Sequence, residues 1–217
     1  MDFLARALLM IFAVALLACT LPAQQALKPA PSQTAAKPDS GAIVDGVYRN
    51  PTFGFTYKAP FGWVDRTREM REDSSEDSSA DSNSANKSIL LLATFERPPE
   101  ATGDTVNSAV VVAAEEVASY PGLRSAEQYF GPLTELTKSK GFAVVSEPYE
   151  FHVGDRQLVR SDFSKAVGNL TMHQSTLVMI DRGYVVSFTF IAGSEDEADQ
   201  LAEGLSFARK ETPASRK

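Results

Sequence analysis

Chemistry in this chain would have to come from very few residues. Its 217 residues hold two histidines, His152 and His173, and one cysteine, Cys19. A metal site needs several such ligands at fixed spacing, and a nucleophile needs a base beside it. Both histidines fall in strand-like runs joined by short turns. With two-residue turns, His152 stands opposite Gln157 and His173 opposite Ser164. Positions 157 and 164 are an odd number apart, so the two rings point to opposite faces of the sheet and do not share a metal. Serine is plentiful but never stands in G-x-S-x-G. Neither G-x-G-x-x-G nor G-x-x-x-x-G-K-[ST] occurs, so there is no phosphate cradle. Glu72, Asp73, Glu76, Asp77 and Asp81 crowd one stretch but lack the alternation and the turn glycine of a calcium loop. Arg66, Arg68 and Arg71 lie among Glu69, Glu72 and Asp73, which reads as a salt-bridged surface. We therefore assign no catalytic, metal-binding or cofactor-binding residue and expect no enzyme activity.

The residue with a defined chemical fate is Cys19. It closes the apolar run Leu8 to Cys19, LLMIFAVALLAC, which follows Arg6. The run is shorter than the ~20 residues of a transmembrane helix and fits the apolar core of an export signal. A Pro/Ala/Gln/Lys tract follows at once and offers a core helix nothing to pack against. Leu16-Leu17-Ala18-Cys19 resembles the lipobox of bacterial lipoproteins, in which the cysteine is lipidated and becomes the new N-terminus. That resemblance implies a signal peptide over 1–18 and a lipid on Cys19. Leu17 departs from the smaller or β-branched residue usual at its place, and cleavage after Ala23 in Leu21-Pro22-Ala23 is the alternative. A lipid anchor holds a protein at a membrane surface without a spanning helix. As the sole cysteine, Cys19 excludes an intramolecular disulfide and a multi-cysteine zinc site.

The formal charge is −7. Nucleic-acid binding draws on clustered Lys and Arg that release counterions, so no nucleic-acid partner is expected, nor broad docking on anionic lipid. Hydrophobic residues make up 43 % of the chain, enough for a sizeable core, and the length suits one domain with extra segments.

The elements that would position any site follow from periodicity. Pro22 to Ser40 has four prolines and no apolar period, which makes residues 19–43 a tether from the lipidated cysteine. The folded domain is expected over 44–209. Phe53, Phe55 and Tyr57 alternate with polar residues, as in a half-buried strand that ends at Pro60, Gly62 and Trp63. We expect Trp63 to be largely buried. Arg71 to Ser88 has almost no apolar payload and reads as a disordered acidic loop over 71–88 inside the domain. SILLLATF (Ser88 to Phe95) and AVVVAA (Ala109 to Ala114) read as central strands covered on both faces. A helix follows, with Ser125 and Gln128 as a capping box and Gly131-Pro132 expected to break or kink it. Four strand-like runs come next: Phe142 to Val153, Arg156 to Ala166, Leu170 to Ile180 and Tyr184 to Ile191. Gly154-Asp155 and Gly168-Asn169 between them are hairpin signals. A last helix starts at Ser194 with Glu197 as its box partner, burying Ala198, Leu201 and Leu205. Residues 210–217 read as a disordered tail. The fold class is α+β: an antiparallel sheet of six to eight strands with two or three helices packed on it.

An aromatic strand running into Pro-x-Gly-Trp (FGFTYKAPFGW, Phe53 to Trp63), a helix, a four-strand meander and a final helix ending in Leu205-Ser206-Phe207 together resemble the PsbP/Mog-type fold. That fold is shared by an extrinsic subunit of photosystem II, a Ran-binding nuclear import factor and bacterial envelope proteins. The resemblance covers Val47 to Phe207 and implies a binding or assembly factor without catalytic activity. It assigns no functional residue, because no functional motif matches position by position, and fold does not imply function. The expectation is an exported envelope protein, periplasmic or at the cell surface. It would bind or scaffold another envelope protein and touch the membrane only through its lipid. A carrier of a small molecule or lipid is the alternative, marked by an aromatic-lined cavity. A hydrolase is the further one, marked by a cleft joining His152 or His173 to an acid and a hydroxyl.

Overall fold

The turn signals between the four C-terminal runs act as read. Gly154 and Gly168 take positive φ, 58° and 61°, which two-residue hairpins of this kind require and a glycine adopts without strain. The computed structural model describes residues 37–77, 88–98, 100–101 and 103–208. The stretch read as a signal peptide (1–18), Cys19, most of the stretch read as a tether (19–43) and residues 210–217 lie outside these residues.

In chain order the elements are β1 (Ala42–Val44), β2 (Val47–Asn50), β3 (Phe55–Lys58), β4 (Val64–Asp65), α1 (Thr67–Asp77), β5 (Ile89–Phe95), β6 (Ala109–Glu116), α2 (Ala126–Ser139), β7 (Ala143–Val153), β8 (Arg156–Val167), β9 (Leu170–Asp181), β10 (Tyr184–Ala192), α3 (Glu195–Glu203) and β11 (Leu205–Phe207). They build two antiparallel sheets. One has four strands in the order β1-β2-β3-β11, the other seven in the order β4-β5-β6-β10-β9-β8-β7. With three α-helices among the described residues, this is the α+β class expected from the sequence.

The main core fills the space between one face of the large sheet, the small sheet and α3. Tyr48, Phe53, Phe55 and Tyr57 of the small-sheet side meet Leu92, Val112, Leu177, Phe188 and Phe190 of the large sheet, and Ala198, Leu201 and Leu205 complete it. On the other face α2 lays Tyr129 and Phe130 over Val159, Val178 and Val185. No helix among the described residues is long and apolar enough to cross a membrane.

Three local expectations change. First, α1 runs through Arg71 to Asp77, into the stretch read as a disordered loop; residues 78–87 lie outside the described residues. Composition missed a tertiary anchor here. Arg71 donates from Nε to the Leu90 carbonyl (2.6 Å) and from a terminal nitrogen to the Leu91 carbonyl (2.8 Å), and Thr67 Oγ1 accepts from Ala93 N (2.9 Å). Second, α2 passes through Gly131-Pro132 instead of breaking. Pro132 and Gln128, whose carbonyl loses the proline as a donor, both lie on the exposed side, where that carbonyl is open to solvent. Third, Leu205-Ser206-Phe207 is strand β11, paired with β3, and not the end of the last helix. Leu205 is buried as expected, but in a sheet.

Candidate functional site

Strand β8 reads Leu158-Val159-Arg160-Ser161-Asp162-Phe163. Period two sends Leu158, Arg160 and Asp162 to the face that α3 covers. Across the ladder Arg160 stands opposite Leu177 and Asp162 opposite Ser175, while β7 brings Tyr149 opposite Arg160 and Ser146 opposite Asp162. The result is a polar cluster inside the sheet face. Arg160 is only 7 % exposed. Its Nε reaches Asp162 Oδ1 at 2.8 Å, and its terminal nitrogen reaches Asp199 Oδ1 on α3 at 2.6 Å. It also donates to Ser175 Oγ (2.9 Å), and its guanidinium lies 5.2 Å from the Phe151 ring centre. Asp162 accepts from Ser175 (2.6 Å), Ser146 (2.9 Å) and the Tyr149 hydroxyl (3.1 Å).

Buried charges persist only when paired and hydrogen-bonded, and both partners here are. Burial works against the charge of Arg160, but the bonds to Asp162 and Asp199 outweigh it and raise its pKa. Burial likewise opposes ionisation of Asp162, yet the bonds from Ser175, Arg160 and Ser146 prevail and lower its pKa. Tyr149 is pushed up to about 12, by burial first and then by the negative charge of Asp162.

Arg160 and Asp199 form the waist of a groove between β7 and α3. On one side is a cavity of about 240 Å³ that includes Tyr149, His173, Ser175 and Glu195. On the other is one of about 300 Å³ floored by Phe151, Val153, Ala202 and Leu205, with Glu203 among its lining. His173 and Glu195 approach to 3.8 Å, beyond hydrogen-bond reach, and the buried His173 Nδ1 has no hydrogen-bond partner among the described residues. An imidazole, a carboxylate and a hydroxyl thus share one cavity. The hydroxyl, however, donates to Asp162 and accepts from Arg160, so its proton is not offered to the imidazole as in a nucleophile–base pair. The cluster locks α3 and β7 onto β8 and leaves a polar recess beside His173.

A third cavity, about 490 Å³, opens where the ends of the two sheets meet; Phe53, Phe207, Arg156, Asp181 and Arg182 are among its lining. Arg156 is held by Asp181 at 3.1 Å and lies 5.6 Å from the centre of the Phe207 ring.

The residues singled out in the sequence are dispersed. His152 and His173 stand opposite Gln157 and Ser164, the registers expected, and therefore on opposite faces of the sheet. His152 is exposed and lies 3.3 Å from Glu150. Among the described residues no group of three or more His, Cys, Asp or Glu is placed to hold a metal ion. Phe53, Phe55 and Tyr57 are core, whereas Phe61 is fully exposed at the tip of its turn. Trp63 is half-buried at the core's rim, not enclosed, because the exposed turn Phe61-Gly62 carries the chain out of the sheet before it. Arg66 pairs with Glu100, and Arg68 with Glu69 and Glu72, while Arg71 is spent on backbone carbonyls. Glu72 and Asp73 fall in α1, whereas Asp81 and Cys19 lie outside the described residues. Sequence reasoning missed Arg160, Asp162, Ser175 and Asp199. The available signal was a charged pair at i and i+2 between Leu158-Val159 and Phe163 of one strand, which places two ionisable groups on one covered face.

No family model and no curated protein matches the chain. Among solved structures it is similar to one from Bacteroides thetaiotaomicron (13 % identity, TM-score 0.36, 76 % of this chain and 49 % of that one). The chain thus spans about half the length of that protein. It is also similar to cyanobacterial PsbP (CyanoP) from Synechocystis (14 % identity, TM-score 0.40, 75 % of this chain and 91 % of that one). A third is LpqN, involved in cell envelope biogenesis of Mycobacterium tuberculosis (12 % identity, TM-score 0.36, 71 % of this chain and 83 % of that one). The architecture of the described residues, three α-helices on antiparallel sheets of four and seven strands, is consistent with the PsbP-like fold that the sequence resembles.

Proposed function

We propose that this chain is a non-catalytic envelope protein, a binding, assembly or scaffold module for another envelope protein, exported and lipid-anchored through Cys19. The observation that carries the reading is the commitment of the polar cluster to itself. Ser175 Oγ lies between Asp162 and Arg160, and Arg160 bridges β8 to Asp199 of α3. Groups so paired serve as a strut and give no poised acid, base or nucleophile. Fully exposed Phe61 and the exposed Val145 and Tyr149 supply apolar contacts of the kind found at binding surfaces. A carrier role is the second reading, favoured by the 490 Å³ cavity beside Phe53 and Phe207.

Crosslinked pulldown of the tethered protein from its native host tests the proposal. One or a few envelope proteins should be recovered reproducibly, and Phe61→Asp with Tyr149→Asp should reduce their yield. Recovery of a bound small molecule or lipid in place of protein would shift the assignment to the carrier. Intact mass of the mature protein tests the anchor: a lipid-modified species starting at Cys19 is expected, and an unmodified species starting at Gln24 would end that part of the proposal.

A further inference from the structure

The two edges of the large sheet differ. One ends in β4, two residues long, and the other in β7, with eleven. A long edge strand presents a row of unpaired backbone groups. Pro148 and two register shifts interrupt β7 between Val144 and Tyr149. From Tyr149 to Val153 the ladder with β8 is regular and closes in the two-residue turn Gly154-Asp155. In such a hairpin the closing pair, Val153 with Arg156, exchanges both hydrogen bonds, and bonded and non-bonded pairs alternate from there. Glu150 and His152 are the non-bonded members, so their N–H and C=O groups point away from β8. No strand among the described residues pairs with that edge.

What lies beside the edge selects its occupant. A strand added to β7 would send alternate side chains over the groove beside α3. There Phe151, Val153, Ala202 and Leu205 form an apolar floor. Asp199 already holds Arg160, and Glu203 stands exposed at the C-terminal end of α3. Glu147 lies within β7 itself, in its irregular stretch, whereas Glu150 points to the other face of the sheet. An apolar floor with an acidic rim suits a Lys or Arg, which lays its aliphatic stem on the floor and keeps its charge at the rim.

We propose that the Tyr149–Val153 edge of β7 and the groove beside α3 take up an extended, Lys- or Arg-bearing segment of the partner protein by strand addition. This rests on the protein-binding reading and names its surface. The probe is a fluorescent peptide of about ten residues alternating Lys with Val or Thr, long enough to cover the regular edge, with Glu replacing Lys in the control. The full chain should bind the lysine peptide saturably, more weakly as salt rises, and should not bind the control. Glu203→Lys should weaken binding about tenfold. His152→Pro, which removes an outward N–H, should abolish it, while His152→Thr retains it; thermal melts establish that each variant is folded. Equal binding of both peptides, or lysine-peptide affinity unchanged in Glu203→Lys, overturns the inference. A photocrosslinker at position 152 in the native host separates it from the broader reading. Protein adducts at 152 support both. Adducts at position 61 with none at 152 overturn the surface assigned here and leave the protein-binding reading standing. No protein adduct at any position overturns both.

Discussion

On the face of the large sheet that meets α3 and the small sheet, aromatic rings contact one another in series. Phe55 and Phe188 meet edge to face with centres 4.9 Å apart, and Phe207 sits 6.1 Å from Phe188 and 6.2 Å from Phe55. On the opposite face, Tyr129 and Phe130 of one helix cover three valines, and the buried positions of β8 and β9 beyond them include Ser161 and Thr176. Polar groups differ in the same way. The first face carries a charged pair braced from β7, β9 and α3. The second carries the Glu115 carboxylate, which accepts from the hydroxyls of Tyr120 and Tyr129. Two packed layers close the first face, and a single helix closes the second. With its smaller apolar area, α2 should contribute less to stability than the layers packed on the first face.

The largest effect that could break this contrast is a cavity. Phe188→Ala should cost about 3–5 kcal/mol in denaturant unfolding, because its neighbours are held from two sheets and cannot collapse inward. Phe130→Ala should fall at the low end, about 3 kcal/mol, since α2 can settle onto the sheet. A larger loss at Phe130 than at Phe188 would reverse the ranking of the faces.

Arg160→Ala comes next, at about 3 kcal/mol, since it strands a buried carboxylate and releases α3 from β8. Acid unfolding sharpens the point. The pKa of Asp162 is lowered in the folded state, so the stability it contributes is present above the ordinary Asp value and is lost as pH falls through the folded value. Asp162→Asn should flatten the acid limb of a melting-temperature profile below about pH 4. The other face has an alkaline counterpart. Tyr120 is pushed up to about 12, by burial first and then by Glu115. Its contribution is complete below the ordinary Tyr value and fades as pH rises from about 10 towards 12. Tyr120→Phe should flatten that limb, and an unchanged alkaline profile would remove Tyr120 from the account.

The smallest effects separate the two helix starts. Ser194 Oγ accepts from Glu197 N at 3.2 Å, and Glu197 Oε2 accepts from Gly193 N at 3.0 Å. Ser125 makes no such bond to its helix backbone, and Gln128 instead accepts from Arg124 N. Ser194→Ala should cost about 1 kcal/mol and Ser125→Ala a few tenths. Equal losses would mean that the cap bonds contribute nothing measurable.

Much of this fold follows from short-range pattern. The four-strand meander came from alternating residues and two Gly-Asx turns, and its ladder fixes the partners of His152 and His173 as expected. Phe53, Phe55 and Tyr57 were placed in the core by period two alone. In each case neighbours within a few residues carry the constraint: turn geometry sets register, and register sets the face. The groove was not legible in this way. Arg160 gains its meaning from Asp199, a helix away, and from Ser175 and Tyr149 on the two strands that flank it. Leu205-Ser206-Phe207 became a strand because β3 offered it an edge, and Arg71 held a polar helix because two carbonyls of β5 lay in reach. Local sequence determined which residues could pair and which face they showed. Tertiary structure decided which distant groups met there, because a buried charge, an open sheet edge or an unpaired carbonyl is satisfied by whatever partner the packing brings within bonding distance.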